Sequence, residues 1–547
     1  MAASEGSMAL GGVVEIASAS GADRTPAQAL IGDLARVGVQ GRLTNRTDEA
    51  HCILLRNRAV RHPEGYRISV RKNRIIVEAG SDAGSYYGVQ TVRDLIAAHG
   101  TTVPCMEIED EPELGRRGFY LDCSRGKVPT VQTVRQLIRK LARWKINELQ
   151  LYIENVFSFA KHPRIGEGFS PYSADDLRAI QETCKKHHVR FVPSLTSLGH
   201  FEKILMLDEY RDLGELPGFR DLPGGTTLNP LDPRSIELVS DLYHEFLPLF
   251  EAEDFNACGD EPWELGQGRS KERAAEVGVG RVYLEFILRL RDLSIAHGKR
   301  MNLWGDILLK HPEIIPEIPP EMVLLNWDYT PGGHMMVRTD EFAAAGLPLV
   351  CCPGTNCWLS HGTRLRTAMR NIHQFAGIAV EYNAEGLLNT NWGDAGNRNT
   401  LGASLHGIAY GAACSWNPGA VPNPDDDAFT RLFVRDVFGD SEGDLVEVIK
   451  TIGDDDYHTW AYRVLLESLR EPAAFGEGFS RPRPAVNEVD LDEARARELI
   501  ARGAALETEG RLAAPVAGCA PLADMGEESM FVAAALQEYS LANAMNR

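Results

Sequence analysis

Two adjacent carboxylates, Asp260 and Glu261, close an apolar run, Phe255-Asn256-Ala257-Cys258-Gly259, and are followed by Pro262 and Trp263. The run reads as a buried strand. Gly259 lets the backbone pass closely, and Pro262 ends the ladder because it has no N–H to donate. Carboxyl groups at the carboxyl end of a parallel strand stand where barrel enzymes keep their chemistry, giving and taking protons. An ordinary Asp-Glu-Pro turn is the plain alternative. Adjacent residues on a straight strand point to opposite faces. The two groups therefore cannot face one another across a substrate unless the strand end bends.

The elements around this stretch set its place. From Arg116 onward short apolar runs alternate strictly with amphipathic helices, the pattern of repeated βα units. Strands read over 118–123, 148–153, 189–195, 255–259, 301–304, 323–327, 347–352 and 386–391. Helices read over 131–144, 174–187, 233–250, 279–297, 338–345, 364–381 and 400–410. Eight strands predict an α/β fold closed as a (β/α)8 TIM barrel, with Asp260 and Glu261 on strand four. An open doubly wound sheet would carry a Gly-rich phosphate loop after its first strand, and Ser124-Arg125-Gly126-Lys127 is not one. Upstream lies an α+β region with strands at 13–17, 52–55, 66–70 and 74–78 and helices at 26–37 and 85–98. Downstream, helices read over 426–438, 443–449, 457–469, 491–507 and 528–544, with a Pro/Gly-rich link at 471–486. The expected domains are 1–114 (α+β), 115–424 (barrel) and 425–547 (helical).

Composition narrows the function. The chain has 547 residues, 44% of them hydrophobic, and a formal charge of −20. That charge disfavours phosphate backbones and anionic membrane surfaces. No apolar run approaches the length of a membrane span. The first 20 residues are small and polar and lack the pattern of a secretory signal. Ten cysteines are spread singly or inside apolar runs, Cys351-Cys352 among them, with no zinc spacing and no disulfide framework. A cytoplasmic protein with reduced, buried thiols is the expectation. His187-His188 has no partner ligands at usable spacing, so neither metal nor cofactor is expected.

Strand ends supply the candidate residues. They are Arg125 (with Asp122), Glu154, His200, Asp260 and Glu261, Trp304 (with Asp306), Trp327 and Tyr329, Asn356 and Trp358, and Trp392 and Asp394. A single Trp is usually core, but four at the ends of strands five to eight suit the apolar face of a sugar. Aromatic walls with an acidic rim fit a neutral, hydroxyl-rich ligand rather than a phosphate. His200 as a structural histidine and Arg125 as a simple partner of Asp122 are the plainer readings. Cleaving a glycosidic bond needs an acid for the leaving oxygen and a group that supports charge at the anomeric carbon. Adjacent carboxylates meet that need when the substrate's own acetamido oxygen attacks, since one carboxyl serves as acid/base and the other orients the amide.

These residues resemble glycoside hydrolase family 20, the β-N-acetylhexosaminidases, over roughly residues 66–416. Ser85-Tyr86-Tyr87-Gly88-Val89-Gln90-Thr91 is similar to the end of the family's N-terminal domain. Arg117-Gly118-Phe119-Tyr120-Leu121-Asp122-Cys123-Ser124-Arg125 is similar to its first-strand motif, Gly199-His200 to its strand-three ending, and Gly259-Asp260-Glu261 to its catalytic pair. The resemblance implies Glu261 as general acid/base and Asp260 as the residue that orients the acetamido group. It implies Arg125 as a ligand of sugar hydroxyls and Trp304, Trp327 and Trp392 as walls. Trp392-Gly393-Asp394 matches a Trp-x-Glu ending with Asp in place of Glu. Leu151-Tyr152-Ile153-Glu154 is closer to a bacterial exo-acting subgroup. The family's strand-seven Tyr has no evident counterpart in Cys352-Pro353-Gly354-Thr355-Asn356-Cys357-Trp358, leaving Tyr329 or Asn356 to serve. Glu154 has no assigned part; it could bind hydroxyls or tune Glu261.

The implied activity is exo-hydrolysis of terminal N-acetyl-β-D-glucosamine or galactosamine, with retention, from an oligosaccharide or small glycoside. No nucleic acid or membrane partner is expected, and a homodimer is left open. Two alternatives stand beside it. One is a retaining β-glycosidase with Glu154 as nucleophile; the other is a non-catalytic sugar-binding barrel.

Overall fold

A computed structural model of the chain describes residues 2–18, 25–44, 52–358, 360, 362–394, 397 and 400–454. The helices expected at 457–469, 491–507 and 528–544 lie outside the described residues, as does the link at 471–486.

Eight parallel strands close into a barrel in sequence order: Arg116–Asp122, Glu148–Ile153, Arg190–Leu195, Asp254–Asn256, Arg300–Trp304, Val323–Trp327, Leu349–Cys352 and Gly386–Asn391. Strand eight pairs with strand one, Leu388 against Gly118, and closes the ring. Nearly every strand residue is buried, because side chains pack both the barrel interior and the helical shell. That double burial is why the strands read as continuous apolar runs. Helices are started by ordinary caps: Thr130 before Val131–Arg143, a Ser173/Asp176 capping box before Ala174–Lys186, and Asp232 with Pro233 before Pro233–Phe246.

The amino ends of the strands carry an ion network that no sequence pattern marks. Arg116 and Arg190 both bond Glu148, at 2.9 and 2.8 Å, and Arg300 joins Asp254 (2.7 Å) to Glu385 (2.7 Å). It ties the ring together at the end remote from Asp260, where barrels place stability rather than chemistry.

The N-terminal region is a seven-stranded mixed sheet with two helices, Thr25–Arg36 and Asp82–His99. Three of its strands have no clear signature in the sequence: Ala2–Ala9, Gln40–Thr44 and Thr102–Asp110. The first is an edge strand on Thr102–Asp110, so the small polar start of the chain is ordered by pairing rather than by its own pattern. The sheet is tied to the barrel through Glu64–Arg117 (2.7 Å) and through Asp110, which accepts from Trp416 Nε1 (2.9 Å). Beyond the barrel, Ala428–Phe438 and Leu445–Asp454 are helical. The helix expected at 400–410 runs further, since Leu401–Trp416 continues as a buried element. The helix expected at 233–250 ends sooner, tightening into a 3-10 turn, Leu247–Leu249, at Pro248.

Candidate active site

Strand four is shorter than its apolar run. Regular pairing ends at Asn256, and Cys258, Gly259 and Glu261 all take left-handed backbone (φ 61°, 81° and 48°). Left-handed Cys and Glu are uncommon and are held here by their surroundings. The Asn256 side chain accepts from Cys258 N–H at 2.9 Å. The Tyr283 hydroxyl donates to Gly259 O at 2.9 Å, and Asp306 Oδ2 accepts from Glu261 N–H at 3.3 Å. A side chain on Gly259 would sit 2.7 Å from Leu303. The alternation expected of a straight strand is therefore broken, and Asp260 and Glu261 turn toward one imidazole. His200 Nε2 lies 3.3 Å from Asp260 Oδ2 and 3.6 Å from Glu261 Oε2. Gly199 makes that approach possible, since a Cβ there would lie 2.3 Å from the Asp260 carbonyl oxygen.

The electrostatics separate the two carboxyls. Burial, then the charge of Asp260, raises the pKa of Glu261 from its ordinary value. Burial would lower that of His200, but Asp260 outweighs it and lifts the imidazole to about 9. At neutral pH the imidazole is thus a cation held against Asp260. Asp306, buried behind the pair, is pushed up to about 7 by burial and by Asp260.

A second group of residues surrounds Glu154. Lys203 Nζ lies 2.5 Å from Glu154 Oε2 and donates to Ser124 O at 2.6 Å; Arg125 is 3.4 Å from Glu154 Oε1. Burial would raise the Glu154 carboxyl, but Lys203 and Arg125 together hold it down at about 2. Arg125 also reaches Asp122 (3.1 Å) and Asp394 (3.9 Å), and its guanidinium lies over the rings of Tyr152 and Trp392. Glu154, His200 and Glu202 bring ligand atoms within 4.8 Å of one another. With Lys203 and Arg125 already paired to Glu154, that group works as a charge network rather than a cation cage.

Aromatic side chains form the floor and one wall. Trp304 and Trp392 are almost wholly buried and pack with Tyr120 and Tyr152 in the barrel interior. Trp327 stacks on Tyr329 (5.1 Å between ring centres), and Tyr329 meets Trp358 edge-on at 4.8 Å. The Trp392 indole donates to the Tyr329 hydroxyl at 2.6 Å. The amide of Asn356 is spent on the carbonyls of Tyr329 (3.2 Å) and Gly354 (3.3 Å). Buried Trp304 Nε1, Tyr152 Oη and Asp260 Oδ1 have no hydrogen-bond partner among the described residues. Such groups are costly unless a ligand or water satisfies them. All the residues singled out from the sequence gather at this end of the barrel, with Asp394 at its solvent edge. Lys203, Glu202, Tyr120 and Tyr152 were missed. The tyrosines sit inside apolar strands, and no spacing marks Lys203 as the partner of Glu154.

Fold and site together define a (β/α)8 barrel whose carboxyl-end mouth joins a pair of carboxyl groups to a cluster of aromatic side chains. Family models give the same class. The model for glycosyl hydrolase family 20, domain 2, matches residues 1–111, and that for the glycosyl hydrolase family 20 catalytic domain matches residues 115–418. The chain belongs to glycosyl hydrolase family 20. Among curated relatives, a beta-hexosaminidase of Porphyromonas gingivalis is 25% identical over 320 residues, 49% of this chain and 38% of the relative. A beta-N-acetylhexosaminidase of Cellulomonas fimi is 29% identical over 154 residues, 25% of this chain and 31% of that protein. The chain spans about two-fifths or less of these relatives' length. The fold is shared with the beta-N-acetylhexosaminidase of Bacteroides fragilis (TM-score 0.64, 19% identity, covering 81% of this chain and 94% of that one). It is also shared with that of Streptomyces plicatus (TM-score 0.64, 18% identity, 83% and 94%).

Proposed function

We propose that the chain is an exo-β-N-acetylhexosaminidase that retains anomeric configuration by substrate-assisted catalysis. The observation that carries this reading is the bend after strand four, which sets Asp260 and Glu261 against one imidazolium. Glu261, with its raised pKa, keeps a proton for the glycosidic oxygen. Asp260, beside His200, accepts the acetamido N–H of the substrate and supports the positive charge that develops on that group. As the amide oxygen closes on the anomeric carbon, the bond to the leaving oxygen breaks and Glu261 delivers its proton there. Glu261, now a carboxylate, takes a proton from the water that opens the resulting oxazolinium. A second inversion at the same carbon gives net retention.

Arg125, oriented by Asp122 and Glu154, is the hydroxyl ligand in this reading, with Asp394 at the outer hydroxyls and Trp304, Trp327, Trp358 and Trp392 as walls. Tyr329 is favoured over Asn356 as the donor to the acetamido oxygen. Its hydroxyl accepts from Trp392, which leaves its hydrogen to give, whereas the Asn356 amide is already engaged. Glu154 reads as the anchor of Arg125 and Lys203 rather than as a nucleophile, because Lys203 bonds one of its oxygens and Arg125 stands 3.4 Å from the other. The substrate class is a terminal N-acetylhexosamine on an oligosaccharide or small glycoside. The division at about 114 and 424 belongs to the same reading. So does a cytoplasmic setting, supported by nine described cysteines that are all buried free thiols.

The test is a pair of variants on two leaving groups. Glu261→Gln should lose a factor of about 10² to 10⁴ on a disaccharide and far less on an activated aryl glycoside. Asp260→Asn should lose activity on both. Near-normal turnover of the disaccharide by Glu261→Gln would refute the assignment.

A further inference from the structure

The residue two beyond Glu261, Trp263, is an exposed indole (39%) at the mouth of the barrel. Two cations from different loops lie over its ring. Arg220, from the loop that follows strand three, stands 5.1 Å from the ring centre, and Lys310, from the helix that follows strand five, stands 5.4 Å from it. Indole is the ring that best holds a cation. Arg220 also lies over Phe219 and has no carboxylate within 4 Å among the described residues. It is presented by two consecutive left-handed residues, Arg220 and Asp221 (φ 53° and 60°). Lys310 is about half exposed, and among the described residues it has one carboxylate within reach, the buried Asp306, at 3.6 Å. Asp306 in turn holds the backbone N–H of Glu261. The charge of Lys310 is also felt at Glu261, whose carboxyl it makes more acidic. In a chain of formal charge −20, two cations fixed on one exposed ring beside the acid/base are a local exception.

Their position specifies what they face. A general acid must touch the leaving oxygen, so the groups next to Glu261 on its solvent side border the leaving group rather than the sugar in the pocket. Arg220, Trp263 and Lys310 follow three consecutive barrel strands, three, four and five, on that side. We propose that they form a leaving-group subsite selecting an aglycone that carries an anion, a carboxylate or a sulfate or phosphate ester, close to the scissile bond; this rests on the N-acetylhexosaminidase reading above. The planar fork of Arg220 suits two anionic oxygens, while Lys310 acts as a point charge. The indole fixes both at little entropic cost.

The experiment compares N-acetyl-β-glucosaminyl disaccharides whose reducing sugar is glucose, glucuronate or glucose 6-sulfate, with an aryl N-acetyl-β-glucosaminide as reference. At low salt the full chain should show kcat/KM for one or both anionic disaccharides about 5- to 30-fold above the neutral one, and about 0.5 M salt should erase most of the gap. The glucuronate and sulfate arms tell which anion is read. Arg220→Glu should bring the anionic-to-neutral ratio to one or below, Arg220→Lys should retain most of it, and Lys310→Ala should reduce it. Equal kcat/KM for neutral and anionic disaccharides, or an Arg220→Glu variant in which all fall by the same factor, would overturn the subsite while leaving the hydrolase reading intact. Failure of the aryl reference as well would overturn that reading and the subsite with it.

Discussion

In the proposed mechanism the acid/base pair depends on the imidazolium of His200, and removing it has a quantitative consequence. His200 takes left-handed backbone (φ 56°), so Asn, which tolerates that conformation best, is the replacement least confounded by strain. The folded chain lifts the imidazole from an ordinary value of 6.5 to about 9. A rise of that size corresponds to about 3 kcal/mol of preference for the charged ring. Burial and Arg125 oppose the charge, so the pull of the carboxylates on the ring exceeds that net amount. Asp260 at 3.3 Å takes the largest part, and Glu261 and Glu154 take the rest. His200→Asn should therefore lower kcat/KM on a disaccharide by about 10², because Asp260 loses its counter-charge. It should also move the basic limb of the pH profile. In the proposed mechanism Glu261 must be protonated to act, so activity falls as pH rises through its pKa. A neighbouring cation lowers that pKa, and its removal raises it. The limb should shift up, and the two profiles should converge above about pH 9, where the wild-type ring is itself neutral. Steady-state kinetics from about pH 4 to 10, with melting curves to verify folding, make the comparison. A fall in kcat/KM with the basic limb unmoved would refute the electrostatic argument and leave His200 a steric support.

Two further perturbations probe the supports of the site. Gly199→Ala drives a methyl to 2.3 Å from the Asp260 carbonyl, so the strand-four loop must yield; a stability loss of about 1–3 kcal/mol with at least a roughly tenfold drop in kcat/KM is expected, read by melting and kinetics. Glu154→Gln strands Lys203 without its buried partner and leaves Arg125 to Asp122, at a cost of about 3–5 kcal/mol at neutral pH. Because the carboxyl is held at about 2, below its ordinary value of 4.5, its contribution is fully present above that ordinary value and is lost as pH falls toward 2. The melting-temperature gap between wild type and variant should therefore narrow between about pH 5 and 3, and a constant gap would contradict the pairing.

The barrel was legible because its strands are buried on both faces, so each announced itself as an apolar run with a polar residue just past its end. The bend that makes the site was not. Of the three left-handed residues after Asn256 only Gly259 carries a local signal; Cys258 and Glu261 adopt that backbone because Asn256, Tyr283 and Asp306 bind the chain there. The alternation rule for a straight strand therefore points Asp260 and Glu261 apart, while the tertiary bonds turn both toward His200. The same limit explains Lys203 and Arg220. Each is an ordinary surface-type residue by pattern, and each gains a role only through a partner from another loop, Glu154 in one case and Trp263 in the other. Trp263 directly follows Pro262 and still gives no hint of its use, since an exposed Trp after a Pro carries no period. What fixes its meaning is that the segments after strands three and five both send a cation to it, a fact of barrel topology and not of spacing along the chain. Charge selection at the mouth can thus change with loop substitutions that leave Asp260, Glu261 and the strands untouched, which is how one barrel can keep its chemistry while its leaving group varies.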